Sequence, residues 1–324
     1  MVKCAALLAW VVGCGFHPGG PSSLGGDAGA PDARDAGGEP DAVDAGVTES
    51  CAARWLDGSV RFSAPVQLVT TIINNYNDDP FVTADQLVLY FNASGGASED
   101  VYAATRASTG DAFGTPVIVP SLSSAADDSK VSITRDGLDA VIASELSGSA
   151  GGALDIWEAT RAATDDPFGT WTQANLMNVN SAGNDFDPAI SADGQHLYFA
   201  PPVDGTQHIV VAARNANGRF AAPAAIPALI DAADDPDADP TPSRDELVLV
   251  FSSLRTGPGV PMGRNMWYAT RATTTAAFSV PVLVPDVNTD SSDGGPYLSD
   301  DSCTLYFASD RADSAILLWA AAVM

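Results

Sequence analysis

Five short acidic stretches recur along the chain: "NDDP" (77–80), "ADDS" (126–129), "NDFDP" (184–188), "DPDADP" (235–240) and "DSSDGGP" (290–296). Carboxylates at this density suit two kinds of chemistry. Their oxygens can ligate Ca²⁺ or receive a cationic partner group, and two carboxyl groups held apart at a fixed distance can cleave a glycosidic bond. One Asp from each stretch is taken as the candidate ligand: Asp79, Asp128, Asp187, Asp239 and Asp293. A solvated acidic surface accounts for the same residues without any ligand. The loop "SSLRTGPGVPMGRN" (252–265) adds Arg255 and Arg264 as candidate contacts for a polar ligand.

Contiguous catalytic signatures are missing. The chain has 3 His (17, 196 and 208), and no Cys-x-x-Cys, His-Glu-x-x-His, Walker loop or Gly-x-Ser-x-Gly. No enzyme and no cofactor other than Ca²⁺ are therefore expected. A glycoside hydrolase or polysaccharide-binding protein stays open as the alternative, because the separation of an acid pair is set in three dimensions. "DPDADPTPSRDE" (235–246) spaces its oxygens as an EF-hand loop does. However, Pro240 stands where that loop needs a glycine with positive φ, and no helix flanks it. With 41 Asp+Glu against 15 Lys+Arg, the formal charge is −26. That surface repels phosphate backbones and excludes nucleic acid as a partner.

The elements that must position these residues begin after residue 50. Residues 1–13 read as a signal peptide, with one Lys, an apolar run too short to span a bilayer, and then Cys14. Val11-Val12-Gly13-Cys14 resembles the bacterial lipobox, which implies lipidation at Cys14. Residues 14–50 are almost all Gly, Ala, Pro, Asp and Ser and are expected to form a disordered tether.

Residues 51–324 carry three marks in fixed order, repeating every 51–58 residues. The first is [Ser/Thr]-x-Asp, with Asp at 85, 136, 193, 245 and 301, followed five residues later by an apolar pair such as Tyr198-Phe199. The second places an aromatic or aliphatic residue four before an Arg, at Arg106, Arg161, Arg214 and Arg271. The third is Phe-x-x-Pro, beginning at Phe62, Phe113, Phe220 and Phe278, with Phe168/Trp171 as a variant. Runs such as "LVLYF" and "HIVVAA" are short, β-branched or aromatic, and bounded by turn residues. Four strands per unit and five units make an all-β, five-bladed propeller. The last unit stops after its third strand at Trp319–Met324, while the first has a spare strand after Phe62. The N-terminal strand is therefore expected to complete the last blade, leaving no open edge.

"DPAISADGQHLYF" (187–199) and "SDDSCTLYFASDR" (299–311) resemble the WD-repeat-like propeller repeat found in the C-terminal domain of TolB and its relatives. The resemblance covers residues 60–324. It departs most in the second unit, where Ser129 stands in place of the usual Pro. It implies a propeller serving as a binding scaffold and says little about the ligand.

Strand geometry brings the Arg of each unit to the side of its Ser/Thr-x-Asp turn. Structural pairs are accordingly expected at Asp85/Arg106, Asp136/Arg161, Asp193/Arg214 and Asp245/Arg271, but not in the last unit, which has Val323 at the Arg position. Cys51 and Cys303 both fall at the proposed closure, and a disulfide between them is expected. Together these features describe a monomer at the bacterial outer membrane or cell surface, held to the membrane only by its lipid. Its expected role is to bind an envelope protein or polysaccharide.

Overall fold

The computed structural model describes residues 50–324 except 70–72, 75, 96–97, 147–153, 174, 231–234 and 313–314. The signal peptide, Cys14 and the tether up to residue 49 lie outside the described residues. None of the described helices is long and apolar enough to cross a membrane.

Five antiparallel sheets form the blades of a propeller. Blade 1 runs from Asn77–Val82 through Val88–Ser94 and Glu99–Thr105 to Val117–Ile118. Blades 2 to 5 begin with the innermost strands Asp128–Ile133, Phe186–Ile190, Asp237–Pro242 and Asp293–Leu298. These five innermost strands touch in sequence order around a central channel, and the fifth returns to the first. The second strands are mostly buried, and that of blade 4, Val248–Ser253, is buried throughout, because neighbouring blades cover both faces. Blade 2 has three regular strands, and its fourth is reduced to a bridge between Glu158 and Thr172.

The Ser/Thr-x-Asp mark builds the turn between the first two strands. Asp193 Oδ1 accepts from Ser191 Oγ (2.7 Å) and from the Gln195 amide (3.0 Å), and the other four Asp repeat this pattern. The carboxylates are thus satisfied two residues away. The expected Asp–Arg pairs are not made at 85/106, 136/161, 193/214 or 245/271. The Arg Nε instead donates to the backbone carbonyl of the residue after the Asp: Arg106 to Gln86, Arg161 to Gly137, Arg214 to Gly194 and Arg271 to Glu246 (2.6–2.8 Å). Each guanidinium then lies over the Phe of Phe-x-x-Pro, 4.3–4.5 Å from the ring centroid. One Arg therefore joins two marks of the repeat.

Blade 5 closes the ring. Val66–Gln67 pairs with Leu317–Ala322 (Val66 opposite Ala320, Gln67 opposite Trp319), and Phe62 bridges Val323. Ser63 N donates to Ala322 O at 2.8 Å. A helix, Cys51–Asp57, precedes this strand, capped by the Ser50 side chain and ended by Gly58 at φ 79°. Cys51 and Cys303 form a disulfide. Buried Trp55 packs edge-on against Phe62 and donates its indole N–H to Ser302 O (3.0 Å). Ser302 follows Asp301, so this is the carbonyl an Arg would reach in the other blades. Trp55 supplies the donor that Val323 cannot.

Candidate functional site

Every innermost strand carries a β-bulge near its start. The ladder shifts register between Asp78 and Phe81, Ser129 and Ser132, Ala238 and Thr241, and Gly294 and Tyr297, with the blade 3 shift in the partner register at Tyr198/Ala200. One residue per bulge takes a left-handed backbone: Asp79 (φ 50°), Lys130 (46°), Asp187 (56°), Asp239 (54°) and Gly295 (52°). Asp and Gly tolerate this conformation best, and four of the five are followed by Pro, which has no N–H to leave unpaired at a broken ladder. The bulge re-aims a side chain and gathers these residues at one mouth of the channel.

The first reading of the acidic stretches mixed two positions. Asp79, Asp187 and Asp239 are bulge residues, and a carboxylate oxygen of each lies within 4.8 Å of the others. Asp128 and Asp293 are not. They occupy the position two residues earlier, where Asp128 accepts from Ser144 Oγ (2.6 Å) and Asp293 from Arg311 Nη2 (2.5 Å) and Thr289 N (2.6 Å). Arg255 is likewise structural: it is buried, bound through both terminal nitrogens to Asp237 (2.5 and 2.8 Å), and stacked over Phe251. Arg264 does face the mouth, donating to Ser252 Oγ (2.9 Å).

The missed residue is Lys130. It is buried, with Nζ 3.2 Å from Asp79 Oδ1 and 3.6 Å from Asp239 Oδ1. A hard cation held by this triad would have to displace that ammonium. The chain thus supplies its own cation at the expected Ca²⁺ position. The signal was a constant offset: Asp79, Lys130, Asp187, Asp239 and Gly295 each stand six residues before the Asp of their turn.

The cavity above this cluster measures about 360 Å³ and is lined by Tyr76, Asp78, Asp79, Glu99, Asp187, Asp239 and Arg264, among others. Its carboxyl groups are driven apart in acidity. Burial, then the Asp78 charge, push Glu99 up to about 7, against the amide of Asn92. Burial and the Asp239 charge push Asp187 up to about 7 as well. Burial also raises Asp78 and, well beyond the usual range, Asp79. Asp239 goes the other way. Against burial, Lys130, Arg264 and the hydroxyl of Ser252 (2.5 Å) hold it at about 2. One small cavity therefore holds a carboxylate kept ionised, Asp239, beside Glu99 and Asp187, which exchange their protons near neutral pH.

No family model matches the chain, and no curated protein is similar to it in sequence. Its fold has many solved counterparts. A protein solved as a glycoside hydrolase is 10% identical, with 82% of this chain and 92% of that one covered (TM-score 0.55). The catalytic domain of an α-L-arabinofuranosidase from Coprinopsis cinerea is also 10% identical, with 82% and 96% covered (TM-score 0.52). A TolB from Agrobacterium tumefaciens is 18% identical over 74% of this chain and 70% of that one (TM-score 0.44). The expectation that the chain is not an enzyme does not stand. The propeller it adopts is also the fold of glycoside hydrolases, so the absence of a contiguous signature has no force against catalysis. In this chain the mouth residues come from all five blades and span positions 76 to 316.

Proposed function

We propose that the acidic channel mouth acts on a glycosidic bond. The observation that carries this reading is the split in acidity within one cavity: Asp239 at about 2 and Glu99 at about 7. Glycoside cleavage needs one carboxylic acid to protonate the leaving oxygen and one carboxylate to stabilise or attack the anomeric centre or to activate water. Glu99 takes the first role at the rim, and Asp239 the second on the channel wall. Tyr76, whose hydroxyl donates to Asp78 Oδ2 (3.3 Å), gives a sugar ring an aromatic edge. A plain acidic scaffold would present an unbroken ring of carboxylates, whereas here the ring is interrupted by Lys130 and Gly295. With the signal peptide and Cys14 lipidation expected from the sequence, the substrate class is a polysaccharide at the cell surface or in the surroundings.

The test is release of reducing ends from arabinan, arabinoxylan and envelope polysaccharides by residues 50–324, which belong to one compact unit. Turnover on at least one substrate is expected, falling about 10²- to 10⁴-fold in Glu99→Gln with the melting temperature retained, and by as much in Asp239→Asn assayed below its own melting transition, which loss of the Lys130 partner lowers. Polysaccharide retardation in an affinity gel without turnover would replace this reading with a binding role. Turnover unaffected by both substitutions would refute it.

A further inference from the structure

The innermost strands end, at the opposite mouth of the channel, in their Ser/Thr-x-Asp turns. A second cavity of about 460 Å³ opens there, and the glycosidic reading makes no use of it. Its inner wall is aromatic and aliphatic, formed by Phe81, Tyr90, Tyr297, Ile133, Ile190 and Leu298. The Phe81 ring lies 4.7 Å from that of Tyr297 and 6.4 Å from that of Tyr90, so the three rings make one continuous surface.

The rim has a different chemistry. Arg135, in the turn of blade 2, reaches Asp300 of blade 5 with Nε 2.8 Å from Oδ2. Arg244, in the turn of blade 4, approaches the same oxygen at 3.7 Å. Blades 2 and 5 are not neighbours in the ring, so these three side chains bridge the mouth. Both arginine side chains remain about half exposed, at 48% and 51%, and they share a single carboxylate. The other rim acids are differently placed. Asp85 and Asp136 are spent on their own turns, accepting from Thr83 and Leu87 and from Thr134 and Leu138. Asp165 stands exposed on the outer lip.

We infer that this mouth binds a small amphipathic carboxylate. Its ring or branched apolar body fills the aromatic cavity, and its carboxylate takes the place of Asp300 between Arg135 and Arg244. An apolar cavity of several hundred Å³ with a few convergent polar groups is the usual form of a small-molecule site. Planar guanidinium groups match a carboxylate in geometry as well as charge. Asp300 is then an internal competitor that keeps the arginines aligned until the ligand arrives. The site is separate from the acidic mouth, so either can fail without the other.

Titration calorimetry with 4-phenylbutyrate tests the inference, with 4-phenylbutyramide as the uncharged control. The acid binds with a dissociation constant of about 1 mM or tighter, a range open to a ligand of about a dozen heavy atoms. The amide binds about tenfold more weakly or worse. Arg135→Gln with Arg244→Gln removes the preference for the acid, and Ala84→Trp, a substitution at an exposed lip residue, blocks both probes. Asp300→Asn strengthens binding of the acid, because the competing carboxylate is gone. Unfolding of any variant shows as a lost melting transition, and Asp300→Asn remains an independent gain-of-affinity test. Failure of the acid to bind by about 10 mM overturns the inference. So does equal binding of acid and amide, or acid binding that survives Ala84→Trp.

Discussion

Reducing the Cys51–Cys303 disulfide should loosen the ring at its seam. The two cysteines are 252 residues apart in sequence. For a loop of that length the chain-entropy account gives about 5 kcal/mol of stabilisation, acting through the unfolded state. The seam's remaining links are non-covalent, including the backbone bonds Leu68 N to Leu318 O and Met324 N to Arg61 O and a buried cluster of Trp55, Val60 and Phe62 with Leu305 and Phe307. Its ladder is the two-residue strand Val66–Gln67, supplemented by the Phe62–Val323 bridge and by Trp55 on Ser302. At about 2–4 °C per kcal/mol for a domain of this size, the melting temperature should fall by about 10–20 °C. Calorimetry of residues 50–324 with and without reductant reads this directly, and the Cys51→Ser/Cys303→Ser double variant should reproduce the reduced value without responding to reductant. Limited proteolysis should then cut the reduced protein first before residue 66, where the helix and closing strand come free together. A melting temperature within about 3 °C of the oxidised protein would show that the seam holds without its staple, and the entropic reasoning would be wrong.

Lys130→Met leaves buried carboxylates facing one another without their cation, so stability should drop by about 3–5 kcal/mol in denaturant titrations. Millimolar Ca²⁺ should recover part of that loss in the variant and add nothing to the wild type; an unchanged midpoint would refute the role given to this ammonium. Glu99 must be protonated to act as the acid, and its value of about 7 sets the alkaline limb, so kcat/KM should fall above pH 7 while Asp239 stays ionised throughout. A rate profile flat to pH 9 would remove Glu99 from that role. Asp187 holds its proton more tightly folded than unfolded, so its contribution is complete below about pH 4 and is lost as pH rises through about 7. Asp187→Asn should therefore lessen the decline in stability between pH 5 and 8, measured by urea unfolding, and an unaltered slope would count against it.

The marks that repeat with identical residues were legible because each does the same local job in every blade. Ser/Thr-x-Asp ties its own turn, and Phe-x-x-Pro supplies the ring on which an Arg rests. The partners of those marks were harder to read. Asp193 and Arg214 do converge on one turn, but the carboxylate is already bonded to Ser191 and Gln195, and the guanidinium reaches the Gly194 carbonyl. Opposite charges in adjacent positions suggested a pair where the backbone had prior claims on both. Trp55 was invisible for a related reason: it lies outside the repeat and replaces the missing Arg with a different donor.

The site was legible only in part, and the reason is register. Asp79, Asp187 and Asp239 announce themselves as acids before Pro, whereas blade 2 offers Lys130-Val131 at the same bulge. Reading by residue type matched Asp128 to Asp79, two positions out of register, which preserves strand polarity but lands on the wrong side of the bulge. Reading by offset from the turn would have placed Lys130 among the acids, because strand length from bulge to turn is fixed by the packing of five equivalent blades around one channel. Where a repeat closes into a ring, the position that breaks the residue pattern while keeping the spacing is therefore the one to examine for function. Here it is the lysine whose charge helps hold Asp239 ionised among buried neighbours that burial drives the other way.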